Sequence, residues 1–153
     1  MEIEAQVAAS GDDGYWYSSV FNNDYTTIRV GSVGSLAYKT FARWDNIVIP
    51  AGAVITSAHV SLRFDGYSGT PPQCTIYFED AADPAAVTGY EDGNGRTPTT
   101  ASVAYTPPTE GEWVDTPSIA DILNELIGSH SYAEGAAMQM IVVGPAGKTN
   151  YTA

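Results

Sequence analysis

The stretch that decides the fold is Arg43-Trp44-Asp45-Asn46-Ile47-Val48-Ile49-Pro50-Ala51-Gly52-Ala53-Val54-Ile55-Thr56-Ser57-Ala58-His59-Val60-Ser61-Leu62-Arg63-Phe64. It reads as a strand, a Pro-Ala-Gly corner and a second strand. In the second strand Ala58, Val60, Leu62 and Phe64 point one way, and Ser57, His59, Ser61 and Arg63 the other. A period of two marks a strand with one face on a core and one in water. Pro50 has no N–H for a ladder and belongs at a strand end, while Gly52 relieves the turn.

Outward from this stretch the chain continues as short strands. Ile3, Ala5 and Val7 alternate with polar neighbours, and residues 26–30 and 73–79 read as strands. The strand ahead of the corner is expected to begin near Tyr38. Gly11-Asp12-Asp13-Gly14, residues 31–35 and residues 66–72 are turn chemistry. From Asp80 to Pro108 the order weakens, and the segment is expected to be a long loop excursion with one strand over residues 101–105. Ile119, Ile122, Leu123, Leu126 and Ile127 follow helical spacing, so a helix is expected over residues 118–127, packed as a lid on the sheets. Thr116 or Ser118 caps its start and Gly128 suits its end. Residues 136–143 are apolar on both faces, which predicts a central or covered strand. Together these elements predict an all-β fold, an antiparallel β-sandwich of jelly-roll type with one short helix.

The 153 residues suffice for one domain with a real core, burying roughly 68–70% of the unfolded chain's surface. Six Lys and Arg stand against 18 Asp and Glu, a formal net charge of −12. Such a surface repels phosphate backbones and anionic membranes, so neither nucleic acid nor membrane is an expected partner. Cys74 is the only cysteine, which excludes an internal disulfide; it is expected to be a buried, inert thiol. Met1-Glu2-Ile3-Glu4 has no basic or apolar signal region, so either the chain is not exported from its own N-terminus or a leader has been removed, and no apolar run approaches a membrane span.

Arg43-Trp44-Asp45, Ile47-Val48-Ile49-Pro50-Ala51-Gly52-Ala53 and Ile55-Thr56-Ser57-Ala58 resemble the pattern of DNRLRE-type domains, jelly-roll modules of the carbohydrate-binding kind. Trp44 stands where that pattern usually has Phe. Asp12-Asp13 before an aromatic residue, Arg96-Thr97 before a short strand and the apolar ending at residues 136–144 look like further family features. The resemblance implies a non-catalytic β-sandwich found beside enzymes, on cell surfaces and in phage structural proteins, with some relatives binding acidic polysaccharide. The family usually closes with a further apolar strand. Here the tail, residues 147–153, departs from that pattern, and a sheet edge is expected to stay open for another subunit.

No residue set announces a reaction. His59 and His130, the only histidines, lack metal-ligand spacing and a nucleophile elbow. Asp12/Asp13, Glu79/Asp80 and Glu91/Asp92 are adjacent carboxylates on loops, not a pair facing across a cleft. No cofactor is required; calcium is the one cation the loops suit, with Asp80, Asp83, Glu91 and Asp92 as its candidate ligands. Glu91-Asp92-Gly93-Asn94-Gly95 resembles a calcium loop but lacks its alternating Asp and distal Glu. Tyr15, Trp16 and Tyr17 are consecutive, so at least one is expected to face outward. These three, with Tyr90, Arg96 and the loop between those two, are the expected contacts to a partner. The expected function is a non-catalytic structural or adhesive surface module of a virion or other extracellular assembly, its partners being further subunits in a homo-oligomer. The alternative is a carbohydrate-binding module of a secreted polysaccharide-degrading enzyme.

Overall fold

A computed structural model describes residues 2–24, 27, 29–50, 52–63, 66–67, 71–107, 111–130, 132, 135–145 and 151–152. Thr26, Ile28, Ala51, Phe64, Pro108 and residues 146–150, on which parts of the expectations fall, lie outside them. In chain order the elements are β1 (Asp13–Tyr17), β2 (Val20–Asn22), β3 (Arg29–Val30), β4 (Ser32–Val33), β5 (Leu36–Ala37), β6 (Lys39–Ile47), β7 (Ser61–Arg63), β8 (Gly66–Tyr67), β9 (Cys74–Phe78), α1 (Tyr90–Gly95), β10 (Val103–Tyr105), β11 (Trp113–Asp115), α2 (Ala120–Ser129), β12 (Ala136–Val143) and β13 (Tyr151–Thr152).

The protein is an all-β sandwich built on a six-stranded antiparallel sheet in the order β10-β9-β12-β6-β1-β2. The apolar strand over residues 136–143 is central, as its two-faced apolar character requires: Ile141 pairs with Phe41 of β6 on one side and Tyr77 of β9 on the other. One face of this sheet carries Ala42, Met138, Met140, Val142, Cys74, Ile76 and Phe78. It packs on Leu62 of the second sheet and on Ile119, Ile122, Leu123 and Leu126 of α2. The opposite face carries Trp16, Phe41 and Ile141, which pack with Val87.

The deciding stretch keeps its alternation but makes little ladder. Ser57, His59, Ser61 and Arg63 are exposed, and Ala58, Val60 and Leu62 turn inward. Before the corner Arg43–Ile47 belongs to β6 and pairs with β12; after it, only Ser61–Arg63 among the described residues pairs as a strand, with β11. Upstream, Ala58 and Val60 give their carbonyls to the N–H groups of Ile119 and Thr116, both at 2.9 Å. Residues 58–60 are thus held by attachment to the start of the α2 region and not by a strand ladder. The corner behaves as read: Ala53 N–H donates to the Pro50 carbonyl at 3.0 Å and Gly52 takes φ +74°, the left-handed conformation that suits glycine.

The helix of the lid is present with its apolar stripe buried. Its start uses Ser118, whose Oγ accepts the Ala120 N–H at 3.3 Å. Its end is one correction: Gly128 lies inside α2, and the chain leaves the helix at extended His130, whose N–H reaches the Leu126 carbonyl at 3.0 Å. The single-helix expectation is a second, since α1 occupies residues expected to be loop. The open edge left by a missing last strand is a third. Tyr151–Thr152 pairs with β3 and with β8, completing a three-stranded sheet in the order β3-β13-β8. Among the described residues no helix is long and apolar enough to cross a membrane.

Candidate functional site

The richest polar chemistry lies where residues 79–98 fold over the second face of the six-stranded sheet. Arg96 is the hub. Its Nη1 donates to Glu79 Oε1 at 3.0 Å and to the Ala85 carbonyl at 3.0 Å; its Nε and Nη2 hold Asp92 at 3.0 and 2.9 Å. Glu79 is 8% exposed and also accepts from Gln139 Nε2 at 2.8 Å. Burial pushes the Glu79 carboxyl up from the usual range, against the pull of Arg96. Asp92 is held below its usual range, chiefly by Arg96. A second clamp is Arg43, which donates to the Pro84 carbonyl at 2.7 Å and pairs with Asp12 at 2.9 Å and Asp45 at 2.6 Å. Asp83 accepts the Ala137 N–H at 2.8 Å, and Asp80 meets His130 Nε2 at 2.7 Å.

The short helix α1 is fastened by the same residues. Asp92 accepts the Thr88 N–H at 2.8 Å and binds Arg96 one turn on, so a six-residue helix with two glycines is held by side chains it would not form without. Gly93 lies against the Trp16 indole. A Cβ there would come within 2.8 and 2.9 Å of two Trp16 ring carbons, and Trp16 is locked by its own packing. Alanine gains up to about 1 kcal/mol of helix propensity, while overpacking a core costs about 1–3 kcal/mol. Gly93→Ala is therefore expected to destabilise the protein by roughly 1–2 kcal/mol, read as a lower urea midpoint at unchanged slope.

The structure brings Trp16, Tyr90 and Arg96 to this one face and sends Tyr15 and Tyr17 to the other. Trp16 is 1% exposed and its Nε1–H donates to Asn94 Oδ1 at 3.1 Å, an oxygen shared with Lys39 Nζ at 2.8 Å. Tyr90 is half-buried against the same cluster. Tyr15 and Tyr17 pack on Tyr38 with ring centroids 5.3 and 4.8 Å apart, and Arg29 lies over Tyr15. The expectation that one of the three aromatics faces outward is corrected: Tyr15 and Trp16 are buried and Tyr17 half-buried, because both sheet faces are covered here.

The four candidate calcium ligands do not converge. Asp80, Asp83 and Asp92 are each engaged as described, and Glu91 is exposed. Among the described residues no three His, Cys, Asp or Glu side chains are placed to hold a metal ion. Cys74 is buried, and desolvation pushes its thiol up to about 11, so it stays protonated at neutral pH. Open grooves border the described residues. One of about 360 Å³ is bordered by Ile49, Pro50, Ile127, His130 and Tyr132. Another, about 210 Å³, runs along Trp16, Lys39, Tyr77, Arg96 and Val143; its two cations are already hydrogen-bonded to Asn94, Glu79 and Asp92.

One residue missed in the sequence stands apart. Trp113, on β11, is 70% exposed. Its signal was there in Trp113-Val114-Asp115, where Val114 turns inward and its neighbours outward, but three residues are too few for periodicity to speak. No family model, curated protein or solved structure matches this chain.

Proposed function

We propose that this protein is a non-catalytic structural or adhesive module, displayed on the surface of a virion or another extracellular assembly and working as a homo-oligomer. The observation that carries the reading is how Arg43 and Arg96 are used. Both tie loop carbonyls and buried carboxylates to the sheet, so these ionic groups stiffen the domain; Arg96 borders the smaller groove with its guanidinium already committed to Glu79 and Asp92. The resemblance to DNRLRE-type domains supports the same reading. So does β2, a three-residue strand at the sheet's edge among the described residues, with Val20 exposed, since a sheet edge is a surface for a second copy.

Subunits of charge −12 repel one another, and salt screens that repulsion. Light scattering at micromolar concentration is expected to show a discrete oligomer that is strengthened by added salt and indifferent to chelator. A strict monomer at every salt concentration would overturn the self-assembly.

A further inference from the structure

Gly93 and Gly95 lie two apart in α1, and the fold accounts for only one of them. Gly93 fits under the Trp16 indole, where a Cβ would collide. A Cβ on Gly95 would meet open space, and the backbone there is outside the left-handed region. A better helix former would fit at residue 95. What Gly95 does supply is an unhindered amide nitrogen directly after Asn94. Asn94 is the only asparagine of the sequence followed by glycine. It is also the residue that latches α1 to the sheet: its Oδ1 accepts Trp16 Nε1–H at 3.1 Å and Lys39 Nζ at 2.8 Å. Asn94 and Gly95 are both exposed to water.

We propose that Asn94 is a self-modification site, converted to aspartate and isoaspartate by the Gly95 nitrogen whenever the last turn of α1 opens. The step balances with water as its one co-reactant. The Gly95 nitrogen loses its proton to solvent and bonds to Asn94 Cγ. The Cγ–Nδ2 bond breaks, and Nδ2 takes up a proton and leaves as ammonia. Water then opens the five-membered imide at one carbonyl to give aspartate, or at the other to give isoaspartate. Nothing is oxidised or reduced. In a helix the side chain leans toward the N-terminus and the next amide nitrogen is turned into the hydrogen-bond ladder, away from Cγ. Reaction therefore requires opening, and a six-residue helix with two glycines opens locally with ease. The Lys39 and Trp16 bonds hold the turn closed and so set the rate. The change is one-way. Isoaspartate lengthens the backbone by one methylene, so neither the helical spacing nor the latch to Trp16 and Lys39 re-forms. This inference is independent of the adhesive reading above.

The test holds the folded full chain in mildly alkaline buffer and follows its peptides by mass spectrometry, with fragmentation that separates aspartate from isoaspartate. Asn94 is expected to exchange NH2 for OH before any other asparagine, and more slowly in the folded chain than in urea. Gly95→Ala should slow the exchange roughly tenfold or more, because its Cβ crowds the attacking nitrogen. That variant should melt no lower than the wild type, so lost reactivity is not lost folding. Lys39→Met, compared below its own unfolding transition, should speed the exchange roughly two- to tenfold, the worth of one hydrogen bond on the closed helix. In the isoaspartate form, residues 90–95 should exchange amide hydrogen faster than in the parent. Another asparagine converting first, an unchanged rate in Gly95→Ala, or an unchanged or slower rate in Lys39→Met would each overturn the site. Full amide protection in the isoaspartate form would overturn the release of α1.

Discussion

Arg96→Ala is expected to cost about 3 kcal/mol at neutral pH, the lower end for breaking a buried ion pair, and to lower the melting temperature by roughly 6–12 °C. The loss falls mostly on Glu79, left charged and buried beside Gln139. The sign with pH follows from the two carboxylates. Glu79 is already above its usual range through burial, and without Arg96 only the hydrogen bond from Gln139 Nε2 opposes that push. A carboxyl raised in the folded state weighs against folding once it ionises, so its penalty is absent below the ordinary glutamate value, about 4.3, and grows as pH rises through the raised one. Asp92 is lowered, chiefly by Arg96, so its contribution is present above the ordinary aspartate value and fades as pH falls through its folded one. Both effects narrow the gap between variant and wild type on acidification. Urea titrations from roughly pH 2 to pH 8 read this directly, the Glu79 part above the ordinary glutamate value and the Asp92 part below the ordinary aspartate value; a gap that is constant with pH would sink the assignment. A neutral partner should rescue the site. Gln139 Oε1 is buried without a hydrogen-bond partner among the described residues, and Glu79→Gln supplies an amide N–H that can meet it. Glu79→Gln with Arg96→Met is expected to recover about half of the loss.

Trp16→Ala is expected to be at least as damaging, about 4 kcal/mol, because removing a buried large aromatic side chain leaves a cavity that the sheet cannot close. That is a large share of the 5–15 kcal/mol by which domains are typically stable. The indole fills the space between β1, Phe41 and α1, with the Trp16 and Phe41 ring centroids 6.0 Å apart. The damage should therefore extend to residues 85–96, which would exchange amide hydrogen and admit protease before the sheet does. Trp16→Phe should retain most of the stability and lose the bond to Asn94. A Trp16→Ala protein as stable as the wild type would place the indole outside the core, contrary to its packing.

What could be read in the sequence was what one strand or one helix states alone. Residues 136–143 declare a covered strand because both of their faces are apolar, and Ile119 to Ile127 declare a helix because its stripe has a single period. The polar–apolar alternation from Ser57 to Arg63 was legible, but its attachment to Ala58 and Val60 through the Thr116–Ile119 bend was not, since those bonds join segments more than fifty residues apart. The helix α1 was illegible for a related reason: Gly93 and Gly95 argue against it locally, and Asp92, Arg96 and Trp16 outweigh them only once folded. The same limit explains the aromatic run. Three adjacent aromatics in a strand imply an outward face only while the loop that buries it is unseen. Asp80, Asp83 and Asp92 looked like free ligands because their partners, His130, Ala137 and Arg96, are named by tertiary structure alone.

The place of β12 between β6 and β9 has a kinetic consequence. Until residues 136–143 arrive, the long strand β6 and the strand β9 have no common neighbour, and each leaves a row of backbone donors and acceptors bare. The sheet therefore closes by a contact far apart in sequence, which makes folding slow and the waiting intermediate prone to pair with other chains. A nascent chain halted before residue 136 should be held by chaperones or aggregate, and release of the next eight residues should rescue it in one cooperative step.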